Sequence, residues 1–434
     1  MNNPYNAVLS TPNIQTTQAG PLANWTVAIK DNFNLIDTIT TASCKLLDNH
    51  VSIYTADSIA RLLDAGAHIV AKTSMDELGM GGSNRTAYTG PVLNPHDLSR
   101  ITGGSSGGSA ALVASGEVRL AMGTDTGDSV RRPAAFCGIV GVKPTYGRIS
   151  RYGVIPFASS MDHVAYFTHN VNDAALALEV LAGRSDKDMT SSFEAVAAYS
   201  QLLSMDLKGK RIGVFKTVHD TMDQETISTP LNHVFELLEA QGAILVDKTM
   251  DLNLLRTVLP TYSIISNAEV LANSASLDGV RFGVQKPGDS LEEIMMNTRG
   301  EGFSTPIKKR FIYGAYSLDD QNQDLIFNQA KKVRRLIVES YSSLFNDVDI
   351  MIAMASGIIA PLLTETDVSS TDDKYVVGES HMAIQNFSGY PSITIPVGLH
   401  EDMPLGINIT TKPFDEKTMF AFAHELEILL GGKA

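Results

Sequence analysis

Residues 103–147 read GGSSGGSAALVASGEVRLAMGTDTGDSVRRPAAFCGIVGVKPTYG. Glycines flank Ser105 and Ser106 on both sides. The run 109–115 (SAALVAS) then has helical character, 118–123 (VRLAMG) has strand character, and 124–129 (TDTGDS) forms a second small-residue loop. Gly/Ser runs are commonly flexible linkers. Here patterned apolar sequence lies on both sides and the glycines do not repeat, which argues against a linker. A phosphate cradle is a second reading, but no lysine stands at the required place. The third is an active site at which backbone approaches substrate closely, as glycine permits.

Outward from this stretch, helix and strand signals alternate. The spacing predicts a helix over 55–65 ending at Gly66, a strand over 68–72, a strand over 211–215, a helix over 228–240 and a strand over 243–247. A final strand is expected over 391–398 and a C-terminal helix over 417–430. Strand, helix and strand in succession favour parallel pairing with a right-handed crossover. The expected class is therefore α/β: one large mixed, mostly parallel sheet covered by helices on both faces. Residues 1–434 are read as a single domain with a core at about 75–165. The polar run 183–192 is a surface connection, and 251–314 is an irregular candidate cap over a pocket.

Composition narrows the function classes. The formal net charge is −14 and 44% of residues are hydrophobic, which fits a globular chain and argues against a direct grip on nucleic acid. Two cysteines, Cys44 and Cys137, cannot form a disulfide scaffold and read as buried thiols. The ten histidines show no HExxH spacing, and GxxxxGK[ST], GxGxxG after a strand and GxSxG are all missing from the sequence. There is no long apolar run to span a membrane and no secretory or transit pattern at the N-terminus. A cytoplasmic protein is expected, with the mitochondrial matrix as the alternative.

Further motifs carry a resemblance. VAIKDNF around Lys30, MDELGMGGS at 75–83, the 103–147 stretch and PTYGRISRYGVIPFASSMD at 144–162 together resemble the amidase signature family. Its members use a Lys–Ser–Ser triad. Within that family TRGEGF (298–303), KKVRRL (331–336) and KPFDEKT (412–418) look most like the A subunits of glutamyl-tRNA(Gln) or aspartyl-tRNA(Asn) amidotransferases. The resemblance implies the amidase signature fold and a glutaminase subunit that hydrolyses glutamine to glutamate and ammonia. A B subunit would use the ammonia with ATP and Mg to amidate Glu-tRNA(Gln) or Asp-tRNA(Asn). A small C-type subunit, or its replacement, would stabilise the complex, and tRNA would be contacted mainly through the partner. No cofactor is implied in this chain, and no metal. The alternatives are a free-standing amidase acting on another small amide, and a catalytically weak scaffold subunit.

Carried over position by position, the resemblance makes Ser129 the nucleophile, Ser105 the bridging serine held through a cis non-proline peptide, and Lys30 the base. A serine hydroxyl needs such a base, and lysine serves when burial and nearby cations keep its amine neutral. The backbone N–H groups of Thr126, Gly127, Asp128 and Ser129 are the oxyanion-hole candidates. Arg334 is implied to bind the substrate α-carboxylate, with Arg335 as its competitor, and Asp415 the α-ammonium; both would otherwise read as ordinary surface charge. Three features depart from the family pattern. Asp128 stands where glycine is usual, and is expected to pair with Arg131 or Arg132. Phe282 stands where relatives carry tyrosine. Only 29 residues precede Lys30, which implies altered packing against partner subunits.

Overall fold

A computed structural model describes residues 3–365 and 371–432; the remaining positions of the 1–434 span lie outside the described residues. Eleven strands form one sheet: β1 (Val8–Ser10), β2 (Thr26–Lys30), β3 (His68–Thr73), β4 (Leu120–Asp125), β5 (Val140–Lys143), β6 (His163–Thr168), β7 (Arg211–Phe215), β8 (Ile244–Lys248), β9 (Ile350–Met354), β10 (Ser392–His400) and β11 (Met403–Thr411). Their spatial order is β1-β3-β2-β4-β6-β5-β10-β11-β9-β7-β8.

The expected α/β class with a large mixed sheet is what forms. The expectation of mostly parallel pairing is corrected: of the ten ladders, only β2–β3, β2–β4, β7–β8 and β7–β9 are parallel, and the other six are antiparallel. The strand–helix–strand signals at 211–248 do give a parallel pair, joined through the helix Gln224–Ala240. The centre of the sheet is built differently. β10 and β11 form a hairpin whose turn residues Glu401 and Asp402 both have positive φ, as a tight hairpin of this hand requires. β4 and β5 each lie antiparallel to β6 between them.

Alternation along the strands sorts side chains to two faces. On β2, β4 and β6 the large residues Val27, Ile29, Leu120, Met122, Val164 and Tyr166 join one core cluster. That cluster includes residues of the helices Asp57–Asp64, Val171–Leu181 and Glu416–Leu429. The intervening Ala28, Ala121, Ala165 and Phe167 face the other way, onto Ala110, Ala111 and Leu112 of the helix Gly107–Ala114 and Ala134 of the helix Arg131–Cys137. Helices thus cover both faces. Cys44 and Cys137 are free and buried, as read from the sequence.

β3, β2 and β4 are mutually parallel, so their carboxyl ends, Thr73, Lys30 and Asp125, meet at one edge, where α/β sheets gather chemistry. The 251–314 segment is more regular than its sequence suggested: it contains the helices Val258–Asn273, Leu291–Gly302 and most of Thr305–Leu318. No helix among the described residues is long and apolar enough to cross a membrane.

Candidate active site

Lys30 ends β2 with its side chain fully buried. Its Nζ lies 2.8 Å from Ser105 Oγ, 2.8 Å from Ser106 Oγ and 2.9 Å from Thr124 Oγ1. Burial pushes the amine from 10.5 down to about 7, against the pull of the carboxylates Asp76, Asp125 and Asp162. Nearby cations, expected from the resemblance to help, take no part: desolvation supplies the lowering. At about 7 a neutral amine with a lone pair is abundant at physiological pH, which an exposed lysine never provides.

Ser105 and Ser106 precede the helix Gly107–Ala114, and the Gly104–Ser105 peptide is cis. The loop is fixed by several bonds. Asp76 N–H donates to Ser105 O at 3.1 Å, Gly104 N–H to Gly82 O at 2.9 Å, and Gly107 N–H to Asn84 Oδ1 at 2.8 Å. The Asp76 carboxylate itself accepts from Asn84 N–H at 2.9 Å and Thr86 Oγ1 at 2.7 Å. A Cβ on Gly104 would stand 2.1 Å from Asp76 Oδ2, so glycine is required by this approach.

Ser129 occupies the turn between β4 and the helix Arg131–Cys137 and is 4% exposed. Asp125, at the end of β4, accepts from Val130 N–H at 3.0 Å and pairs with Arg131, whose Nη2 also donates to Gly127 O at 2.8 Å. Burial alone would raise the Asp125 carboxyl, but the Arg131 guanidinium beside it holds it well below the usual range. The N–H groups of Thr126, Gly127, Asp128 and Ser129 donate to no group among the described residues, which leaves four buried or nearly buried donors on one turn. Tyr262 of the 251–314 segment packs over this turn: a Cβ on Gly127 would be 3.0 Å from its ring.

The structure joins Lys30 to Ser105 directly. Ser129 Oγ makes no hydrogen bond among the described residues, so the Ser105–Ser129 bond is not formed in this state; such contacts often tighten only when substrate is bound. Asp128 pairs with Arg132, Nε to Oδ2 at 2.6 Å. Arg334, half-buried, donates to Phe387 O at 2.9 Å and to Ser160 Oγ at 2.8 Å. Arg335 is exposed and paired with Glu339. Asp415 caps the helix Glu416–Leu429 by accepting from Thr418 N–H at 3.4 Å. No hydrogen bond or ion pair links Asp415 to Arg334 or to the serines among the described residues. Phe282 rests on His50, with ring centroids 5.4 Å apart.

Sequence reasoning missed Ser106, Thr124 and Asn32. Ser106 and Thr124 bond the amine, Ser106 Oγ also donates to Thr124 O at 3.2 Å, and Asn32 Nδ2 donates to Thr124 Oγ1 at 3.2 Å from behind it. The signal was available for two of them: Ser106 is the second serine of GGSSGG, and Asn32 lies two positions after Lys30. A cavity of about 230 Å³ adjoins the site, lined among others by Asn32, Gly79, Thr124, Thr126 and Asp162. Asp162 Oδ1 accepts from Thr126 Oγ1 at 2.7 Å, which ties the 144–162 segment to the serine turn. Among the described residues no group of three or more His, Cys, Asp or Glu is placed to hold a metal ion.

A buried neutral-leaning amine, two serines and a turn of free N–H donors can perform acyl transfer at a carbonyl. Comparison with known proteins agrees in class. Residues 7–420 match the family model described as Amidase. The chain is also similar to glutamyl-tRNA(Gln) amidotransferase A subunits. That of Lactobacillus delbrueckii subsp. bulgaricus is 40% identical over 413 residues, 94% of this chain and 84% of that protein. That of Carboxydothermus hydrogenoformans is 40% identical over 409 residues, with the same coverage. The crystal structure of the Thermotoga maritima counterpart superposes with a TM-score of 0.82 at 31% identity, covering 98% of this chain and 88% of that one.

Proposed function

This chain belongs to the amidase family, and from that premise we propose that it is the glutaminase subunit of a tRNA-dependent amidotransferase, with Ser129 as nucleophile. The observation that carries this reading is the buried Lys30 amine, lowered to about 7 and bonded to Ser105 at 2.8 Å.

In this reading Ser129 Oγ attacks the glutamine carboxamide carbon while its proton passes to Ser105, whose own proton passes to Lys30. The oxyanion forms against the N–H groups of Thr126, Gly127, Asp128 and Ser129; one such donor is worth about 3 kcal/mol. Collapse breaks the C–N bond, and the proton returns through Ser105 to the leaving nitrogen as ammonia. Water then attacks the Ser129 ester and gives a proton to the same relay, which returns it to Ser129 Oγ as the ester C–O bond breaks and glutamate departs. Arg334 supports binding of the α-carboxylate: its guanidinium makes no ion pair among the described residues and is held in place by two backbone carbonyls and the Ser160 hydroxyl. Asp415 is the matching anion, on a helix cap rather than in a salt bridge.

The chain itself uses no cofactor in this scheme. The B subunit, stabilised by a small C-type subunit, takes the ammonia and amidates mischarged tRNA with ATP and Mg, in the cytoplasm. The 434 residues act as one catalytic domain. The test is ammonia release from glutamine by the full chain with its partner subunits. It should depend on Ser129, fail after Ser129→Ala, and exceed turnover of aliphatic and aryl amides. Robust hydrolysis of unrelated amides by the isolated chain would favour a free-standing amidase. Unchanged glutaminase activity in Ser129→Ala would favour a scaffold.

A further inference from the structure

Asp128 sets a problem for the turn it belongs to. Its N–H is one of the four free donors, yet its side chain adds a carboxylate to the same turn, next in sequence to Ser129. The carboxylate is not left to solvent. Arg132 Nε donates to Asp128 Oδ2 at 2.6 Å, and Arg132 N–H donates to Asp128 O at 2.9 Å. The far end of the same guanidinium binds both the carboxylate and the carbonyl of Glu379. Glu379 is itself anchored, accepting from Ser356 Oγ at 2.8 Å and from Gly357 N–H at 2.7 Å. The Arg132 side chain is 11% exposed and that of Glu379 10%, against 24% for Asp128. Arg132 is therefore pinned from behind and presents its Nε edge to Asp128.

We propose that Arg132, held by Glu379, is a positioning residue that neutralises Asp128 and keeps the oxyanion-binding turn competent. The inference rests on the reading of Ser129 as nucleophile. Charges near a developing oxyanion act at short range in a site of low dielectric, so an uncompensated carboxylate opposes the transition state more than it opposes bound substrate.

The experiment compares glutamine hydrolysis by the assembled complex for Arg132→Gln, Arg132→Lys and the double variant Arg132→Gln/Asp128→Asn. Arg132→Gln should lower kcat by roughly tenfold or more and move KM by less than about threefold. Arg132→Lys should retain most of kcat, because it keeps the charge. The double variant should regain most of what Arg132→Gln loses, because the charge that needed an answer is gone. A merely structural arginine would give no rescue by Asp128→Asn. A double variant no faster than Arg132→Gln overturns the inference, as does an equal loss in Arg132→Lys and Arg132→Gln. Should Arg132→Gln fail to fold, the triple variant Arg132→Gln/Asp128→Asn/Glu379→Gln, which leaves neither carboxylate unpaired, decides: folded and active sustains the inference, any other outcome overturns it. Ser129→Ala, run alongside, separates the two levels. If it leaves glutaminase activity intact, the nucleophile reading fails; if it abolishes activity and no rescue is seen, only the role of Arg132 fails.

Discussion

Asp125 and Arg131 form an ion pair with neither side chain exposed, Oδ1 to Nη2 at 2.9 Å. Asn386 Nδ2 donates to the same carboxylate at 3.0 Å, and Arg131 Nη1 donates to Met382 O at 2.9 Å and Gln385 Oε1 at 3.0 Å. The pair thus clamps the Ser129 turn to the helix Ala383–Ser388. Removing one partner of a fully buried pair leaves an uncompensated charge, which costs about 3–5 kcal/mol. Arg131→Met should lose that much in denaturant unfolding. The Asp125 carboxyl is depressed in the folded chain, so the stabilisation it brings is present above the ordinary Asp range near about pH 4 and is lost as pH falls below it. The acid limb of the stability curve should flatten in Arg131→Met.

Lys30 predicts the shape of the rate profile. With the neutral amine as the proposed base, kcat/KM for glutamine should rise with pH through about 7 and then level. A profile that is flat through this region would remove Lys30 as the base. Because the folded chain lowers the lysine pKa, folding disfavours the protonated form at neutral pH. Lys30→Met, which removes the proposed base, should abolish hydrolysis.

Gly104 and Gly82 should part company. A Cβ at Gly104 meets Asp76 Oδ2 at 2.1 Å and the Asn84 backbone nitrogen at 2.7 Å, whereas one at Gly82 meets nothing within 4 Å. Gly104→Ala should cost about 1–3 kcal/mol, as overpacking does, and should lower kcat by displacing Ser105. Gly82→Ala should fall within about 0.5 kcal/mol of the unaltered chain by thermal unfolding.

Arg334 and Arg335 give a paired test of substrate recognition. Arg334→Ala should raise KM for glutamine by roughly tenfold or more, the loss expected of one charge-assisted bond. Arg335→Ala, which removes only an exposed contact to Glu339, should leave KM where it was.

Asp415 combines a charge with a helix cap, and two substitutions separate them. Asp415→Asn keeps a good cap and loses the charge, so KM should rise with Tm unchanged. Asp415→Ala should raise KM and also cost about 1 kcal/mol of stability. A fall in Tm for both variants with no change in KM would reduce Asp415 to its structural part.

Motifs and local periodicity carried much of this site and fold into view. Through the resemblance, VAIKDNF, GGSSGG and TDTGDS point to Lys30, Ser105 and Ser129, of which Lys30 and Ser105 stand 2.8 Å apart. The strands at 68–72 and 211–215 appear as β3 and β7 almost residue for residue, because buried parallel strands write continuous apolar runs. What stayed hidden depends on distant pairing. The antiparallel centre of the sheet joins β5 to β10, segments separated by most of the chain, and periodicity does not report a partner. Asp128 could be assigned an arginine four residues on, since that spacing is local. Glu379, which holds the other end of that arginine, is 247 residues from it, and nothing in the local sequence announces it. The buried pair Lys72–Asp31, at 2.8 Å, was invisible for the same reason.

The alanines at 28, 121 and 165 acquire a meaning beyond packing. Lys30 follows Ala28 by two positions and so shares the face that these small side chains cover, and the helix they seat begins directly after Ser105 and Ser106. The thickness of a methyl layer thus sets how far the serines stand from the strand that carries the amine. The layer works as a gauge block between the two halves of the proposed proton path. The residues that would fix the tolerance of the proposed relay are ones that never exchange a proton.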